Sequence, residues 1–120
     1  LVPHLATALL AAREAGKVIL DGVYNDVKNA EGFQAECQQG MEMGFDGKTL
    51  IHPAQVGTAN EMWAPSTGDM EYAQRVIDAF DEAVADGRGV VTVDGRMIEN
   101  LHVDNARRVL ATAAAIAALS

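Results

Sequence analysis

The chain has 120 residues and a formal net charge of −8, from 9 Lys+Arg against 17 Asp+Glu. That balance argues against a general nucleic-acid or anionic-membrane surface, because phosphate binding needs a basic footprint. A composition of 49% apolar and 22% charged residues excludes wholesale disorder and suits one core better than two comfortable domains.

Cys37 is the single cysteine, which excludes an internal disulfide framework and a cysteine-rich zinc site and predicts a reducing, cytoplasmic setting. No apolar stretch approaches the roughly 18 residues of a membrane span. The opening Leu1-Val2-Pro3-His4 has neither an initiator Met nor a basic leader. It predicts no signal peptide, and a chain that is part of something longer.

Leu5, Ala8, Leu9 and Ala12 recur at helical spacing, and Gly16 is placed to end that helix in the left-handed region. Val18-Ile19-Leu20 is a short apolar run that predicts a parallel strand buried on both faces. Asp21 to Lys28 reads as a loop. Phe33, Cys37 and Met41 form the inner stripe of a second helix ending at Gly44, and Thr49-Leu50-Ile51 a second strand. The spacing is that of a β–helix–β crossover.

His52-Pro53 punctuates that strand, with Pro53 suited to a first helical turn and Val56, Ala59, Asn60 and Trp63 on one helical face. Pro65-Ser66-Thr67 breaks the chain, and Ser66 or Thr67 is a candidate N-cap. Met70, Ala73, Val76, Ile77, Phe80 and Val84 mark an amphipathic helix whose other face is acidic. Asp94-Gly95, between Val90–Val93 and Arg96–Ile98, predicts a two-residue hairpin, since both turn positions need positive φ. Val103, Ala106, Val109, Leu110, Ala113 and Ile116 mark a final helix with Asn100 as a possible N-cap. The chain changes character near residue 64: α–β–α–β before it, helix–hairpin–helix after it.

In parallel α/β folds ligands gather at the carboxyl ends of strands. His52 and Asp21 both stand there. His52 is either a functional group or the residue fixing the turn before Pro53. Asp21 either orients a substrate or caps its own loop. Gln55 is a candidate for an amide or purine edge, or an exposed helix-start residue. Lys48 reads as a solvated lysine near the strand mouth, with a phosphate contact as the alternative. Glu99 is either a mobile acid/base or a first-turn acid favoured by the helix dipole. Cys37, on an apolar stripe, reads as a buried structural thiol. The histidines at 4, 52 and 102 make no zinc motif.

The run Gly44-Phe45-Asp46-Gly47-Lys48-Thr49-Leu50-Ile51-His52-Pro53-Ala54-Gln55 resembles the G-x-x-G-K-x-x-I-H-P-x-Q signature of the HpcH/HpaI aldolase and citrate lyase β-subunit superfamily. It is similar, more narrowly, to the malyl-CoA lyases. Leu20 to Asp26, Asn60 to Ser66 and Val93 to Leu101 resemble further family passages in the same order.

The resemblance implies the last two βα units of a TIM (β/α)8 barrel over residues 1–64. Residues 65–120 would then be a lid and oligomerisation extension. It also implies CoA-ester chemistry: cleavage of malyl-CoA or β-methylmalyl-CoA to acetyl- or propionyl-CoA and glyoxylate. Mg²⁺ would be the cofactor, with its carboxylate ligands upstream and none in this chain. Ile51, His52, Pro53 and Gln55 would border the CoA site, and Asp21 would shape the substrate site. Glu99 would transfer a proton in the active site of a neighbouring copy in a homo-oligomer. A malyl-CoA thioesterase and a non-catalytic association module are the alternatives.

Overall fold

The computed structural model describes residues 1–119. By its internal packing the chain divides into two units, Leu1–Trp63 and Ala64–Ser120.

The first unit runs α1 (Val2–Glu14), β1 (Leu20–Asp21), α2 (Ala30–Met43), β2 (Gly47–Lys48), a 3-10 turn (Pro53–Gln55) and α3 (Val56–Trp63). Pro3 opens α1 where its missing N–H costs nothing, and Gly16 follows the helix at φ +66°. Asn29 caps α2 by accepting from the Gly32 N–H, and Gly44 closes that helix at φ +105°. The strands pair in parallel, Leu20 opposite Gly47 and Asp21 opposite Lys48.

The expected order and parallel pairing are present, but both strands lie nearer each other in sequence than hydropathy predicts. The ladder is flanked by hydrogen bonds from Asp46 N–H to Ile19 O and from Thr49 N–H to Asp21 O. Asp46 sets this register, because its carboxylate also accepts from the Ile19 N–H at 2.9 Å and from both arms of Arg13 at 3.0 Å. In the run after β2 only the middle residue serves packing, with Thr49 and Ile51 exposed. Leu50 packs on a core of Phe33, Cys37 and Ala59, together with Tyr24, Met62 and Trp63.

Burial on both faces of the first strand is not found, and Val18 and Leu20 are 76% and 54% exposed. Among the described residues β1 has one neighbouring strand, and of its two residues only Asp21 is buried. The α1 stripe is likewise only partly covered, and that helix buries no residue. On α2, Met41 is exposed and Gly40 takes the inner position beside Phe33 and Cys37, because Trp63 and Asp21 leave room there for no side chain.

The second unit is α4 (Thr67–Ala85), β3 (Thr92–Val93), β4 (Arg96–Met97) and α5 (Asn100–Leu119). Ser66 and Asp69 form a reciprocal capping box at the start of α4. Asp94 and Gly95 stand at φ +50° and +77°, as the two-residue antiparallel hairpin requires. The core joins Ala73 and Val76 of α4, Val93 and Ile98 of the hairpin, and Val103 and Ala106 of α5. Ala83 rather than Val84 faces inward at the end of α4. Residue 99 rather than 100 precedes the first turn of α5, and His102 Nδ1 accepts from the Glu99 N–H at 2.9 Å. Among the described residues no helix is long and apolar enough to cross a membrane.

Candidate functional site

The carboxyl ends of β1 and β2 open onto two loops, and a buried ion cluster lies between them. Asp21 and Lys48 are direct ladder partners, so their side chains leave the sheet on the same side. Lys48 Nζ lies 3.0 Å from Asp21 Oδ2 and 2.6 Å from Glu36 Oε2, and it donates to the Gly22 carbonyl at 2.7 Å. The Lys48 side chain is fully inaccessible, while Asp21 is 7% exposed.

Burial alone lowers the Lys48 pKa, but the hydrogen bonds to Glu36 and Asp21 together outweigh it. The ammonium is held above its ordinary value near 10.5. Asp21 Oδ1 accepts from the Gly22 N–H, which completes its local bonding. Gly40 belongs to this arrangement, since a Cβ there would meet Asp21 Oδ2 at 3.0 Å and Trp63 Cζ2 at 3.3 Å. Trp63 is itself fixed by an Nε1–H bond to the Phe45 carbonyl at 2.8 Å.

Cys37 is fully buried on α2. Burial pushes its thiol above the ordinary value near 9.0. The Lys48 charge works against that rise, and Glu36 and Asp21 add to it. A neutral structural thiol is the result.

The turn after β2 carries the remaining candidates. His52 is exposed and caps the 3-10 turn, its Nδ1 accepting from the Ala54 N–H at 3.1 Å. Ile51 is 50% exposed, and Pro53 is exposed. Gln55 is instead buried, at 3% exposure. Its Nε2 donates to the Tyr24 carbonyl at 3.1 Å and its Oε1 accepts from the Ile51 N–H at 3.2 Å. The structure thus brings Asp21, Gln55 and the Ile51–Pro53 turn into one unit.

Reading the sequence missed Lys48 and Glu36 as members of this group. With the strands read as Val18–Leu20 and Thr49–Ile51, Asp21 and Lys48 stand at opposite ends of a parallel pair, so the sequence carried no signal for their meeting.

Glu99 belongs to the second unit. It is exposed on the rim of a groove of about 610 Å³ lined by Phe80, Val90, Met97, Ile98 and Leu101 among others. Among the described residues its carboxylate makes no ion pair.

Mg²⁺ does not fit the residues present. Among the described residues no three His, Cys, Asp or Glu side chains converge. The acidic pair at the strand ends, Asp21 and Glu36, already shares the Lys48 ammonium, which would repel a second cation.

Residues 2–117 match a family described as C–C bond lyase of the TIM-barrel fold. Over 114 residues the chain is 57% identical to a (3S)-malyl-CoA thioesterase of Cereibacter sphaeroides, covering 95% of this chain and 40% of that protein. It is 40% identical over 105 residues to the citrate lyase subunit beta of Escherichia coli, covering 88% of this chain and 35% of the relative. Its backbone resembles a solved structure of CitE from Mycobacterium tuberculosis in complex with magnesium, acetoacetate and coenzyme A. There the TM-score is 0.70 at 29% identity, over 93% of this chain and 41% of the other. The chain therefore spans 40% and 35% of the length of these two curated relatives.

Proposed function

Because the chain belongs to the C–C bond lyase family of the TIM-barrel fold, we propose that it supplies the last two βα units and the lid of a CoA-thioester enzyme acting on a malyl-type acyl group. The observation that carries this reading is the 57% identity, over 114 residues, to a protein named for (3S)-malyl-CoA. The chain covers 40% of that relative, so the activity belongs to a protein that completes the barrel. In it the Ile51–Pro53 turn walls the CoA side, Asp21 shapes the acyl side, and Glu99 transfers the proton in a neighbouring copy of a homo-oligomer.

Hydrolysis is the reaction that this identity favours. Glu99 takes a proton from water as the water oxygen attacks the thioester carbonyl. The C–S bond then breaks, the proton passes to the departing sulfur, and the free acid and CoA thiol leave. Carbon–carbon cleavage is the second reading, favoured by the family description and by the 40% identity to citrate lyase subunit beta. There the hydroxyl gives its proton to solvent water, the C–C bond breaks to release glyoxylate, and Glu99 in its acid form protonates the enolate carbon of the remaining acyl-CoA and regains its proton from solvent. In either case no step is assigned to a metal held by this chain's own residues.

The test is to incubate the intact protein from its native source with (3S)-malyl-CoA and measure free thiol and glyoxylate in parallel. Thiol without glyoxylate supports hydrolysis. Glyoxylate with acetyl-CoA supports cleavage. Neither product overturns the proposal.

A further inference from the structure

The loops that follow β1 and β2 are tied together by two buried side chains of the second βα unit. Lys48 grips the first loop at the Gly22 carbonyl, 2.7 Å away, while holding Asp21 and Glu36. An ammonium has three N–H groups, and these three acceptors use all of them. Lys48 therefore has no donor left for a ligand. Gln55 grips the same loop at the Tyr24 carbonyl, and its other end closes the turn on the Ile51 N–H. A carboxamide suits this place because one planar group must donate to a carbonyl and accept from an N–H. The residues left exposed on that turn are Ile51, His52, Pro53 and Ala54.

We propose that Gln55 is a positioning residue for CoA-thioester binding. It fixes the Ile51–Pro53 turn to the Gly22–Tyr24 loop, in concert with Lys48, and does not touch the ligand. The surface offered to CoA is then set before the ligand arrives, so binding does not have to order it. The inference rests on the reading of Ile51–Pro53 as the CoA-side wall.

Gln55→Glu in the intact protein tests it. The change is nearly isosteric but removes the donor and sets a carboxylate against the Tyr24 carbonyl. CoA affinity is measured by calorimetry, with KM and kcat for malyl-CoA and a thermal midpoint alongside. Near pH 8 the dissociation constant for CoA and the KM should rise by about tenfold or more, the scale of one lost buried hydrogen bond. In the same comparison kcat should stay within about threefold, as expected for lost binding alone. On acidification toward about pH 5.5 the introduced carboxyl takes a proton, aided by burial, and can again donate to Tyr24. The variant-to-wild-type ratio of dissociation constants, taken at each pH, should then fall toward one.

A ratio near one at pH 8 overturns the proposal. So does a raised ratio that ignores pH, which marks plain structural damage. If Gln55→Glu does not fold, Gln55→Met serves. It should bind CoA weakly at every pH, and wild-type affinity would overturn the proposal. A wild-type protein that binds no CoA overturns the CoA reading itself, whereas equal binding by wild type and variants overturns the positioning role alone.

Discussion

Replacing Lys48 with Met keeps an unbranched apolar stem and removes the charged end at the centre of the ion cluster. Asp21 stays 7% exposed and loses the ammonium that stood 3.0 Å from it. Breaking a buried pair from one side costs about 3–5 kcal/mol, because the remaining charge is left uncompensated. The Glu36 side chain is 36% exposed, so water takes over its share of the interaction. The expected loss is therefore at the low end, about 3 kcal/mol.

Urea denaturation at neutral pH of the wild type, Lys48→Met, Asp21→Asn and the double variant measures it. The double variant should recover about 1–2 kcal/mol over Lys48→Met, since the stranded carboxylate is gone. Between the unfolded and folded pKa values of Lys48 the native state holds the extra proton. Its contribution is therefore complete below about 10.5 and fades as pH rises through the raised folded value. The gap between wild type and Lys48→Met should close in that alkaline range. A loss under about 1 kcal/mol at neutral pH, or purely additive single variants, would refute the buried-pair account.

Gly40→Ala should destabilise by about 1–2 kcal/mol although alanine is the better helix former. The new Cβ would stand 3.0 Å from Asp21 Oδ2, which Lys48 holds in place, and a rise in urea midpoint would count against this packing. Glu99→Gln in the intact protein should lower turnover by about 100-fold or more while CoA affinity is kept, and unchanged turnover would remove Glu99 from the chemistry. The thiol of Cys37 should titrate only above pH 9.0 in the folded protein, followed by thiolate absorbance. Because the unfolded chain gives up that proton first, stability should fall as pH rises past 9.0, and Cys37→Ala should flatten that part of the curve.

Helix positions were legible where a chemical stop accompanied the periodicity. Gly16 and Gly44 each mark an end that backbone geometry enforces, and Ser66, one of two N-cap candidates, is the one that caps α4. The Asp94-Gly95 hairpin was legible for the same reason, because few residue pairs tolerate two positive φ values in succession. Strand limits were not, because Leu50 is apolar for packing beyond the ladder, while Thr49 and Ile51 on either side of it are exposed. Inner faces shifted where a small residue was needed: Gly40 is buried instead of Met41, and Ala83 instead of Val84.

That misplaced strand explains what went unread at the site. A ladder of Val18–Leu20 on Thr49–Ile51 would set Asp21 opposite His52, whereas the observed register sets it opposite Lys48. Pairing, not residue type, turns an apparently solvated lysine into a buried clamp. Gln55 follows the same logic, since its burial depends on the Tyr24 carbonyl, far away in sequence. A polar side chain can leave water only where both its donor and its acceptor find partners. Lys48 and Gln55, which hold the loops, are therefore polar and buried, and Ile51, half exposed on the turn, is apolar. Hydropathy read along the chain inverts these roles, and only the register restores them.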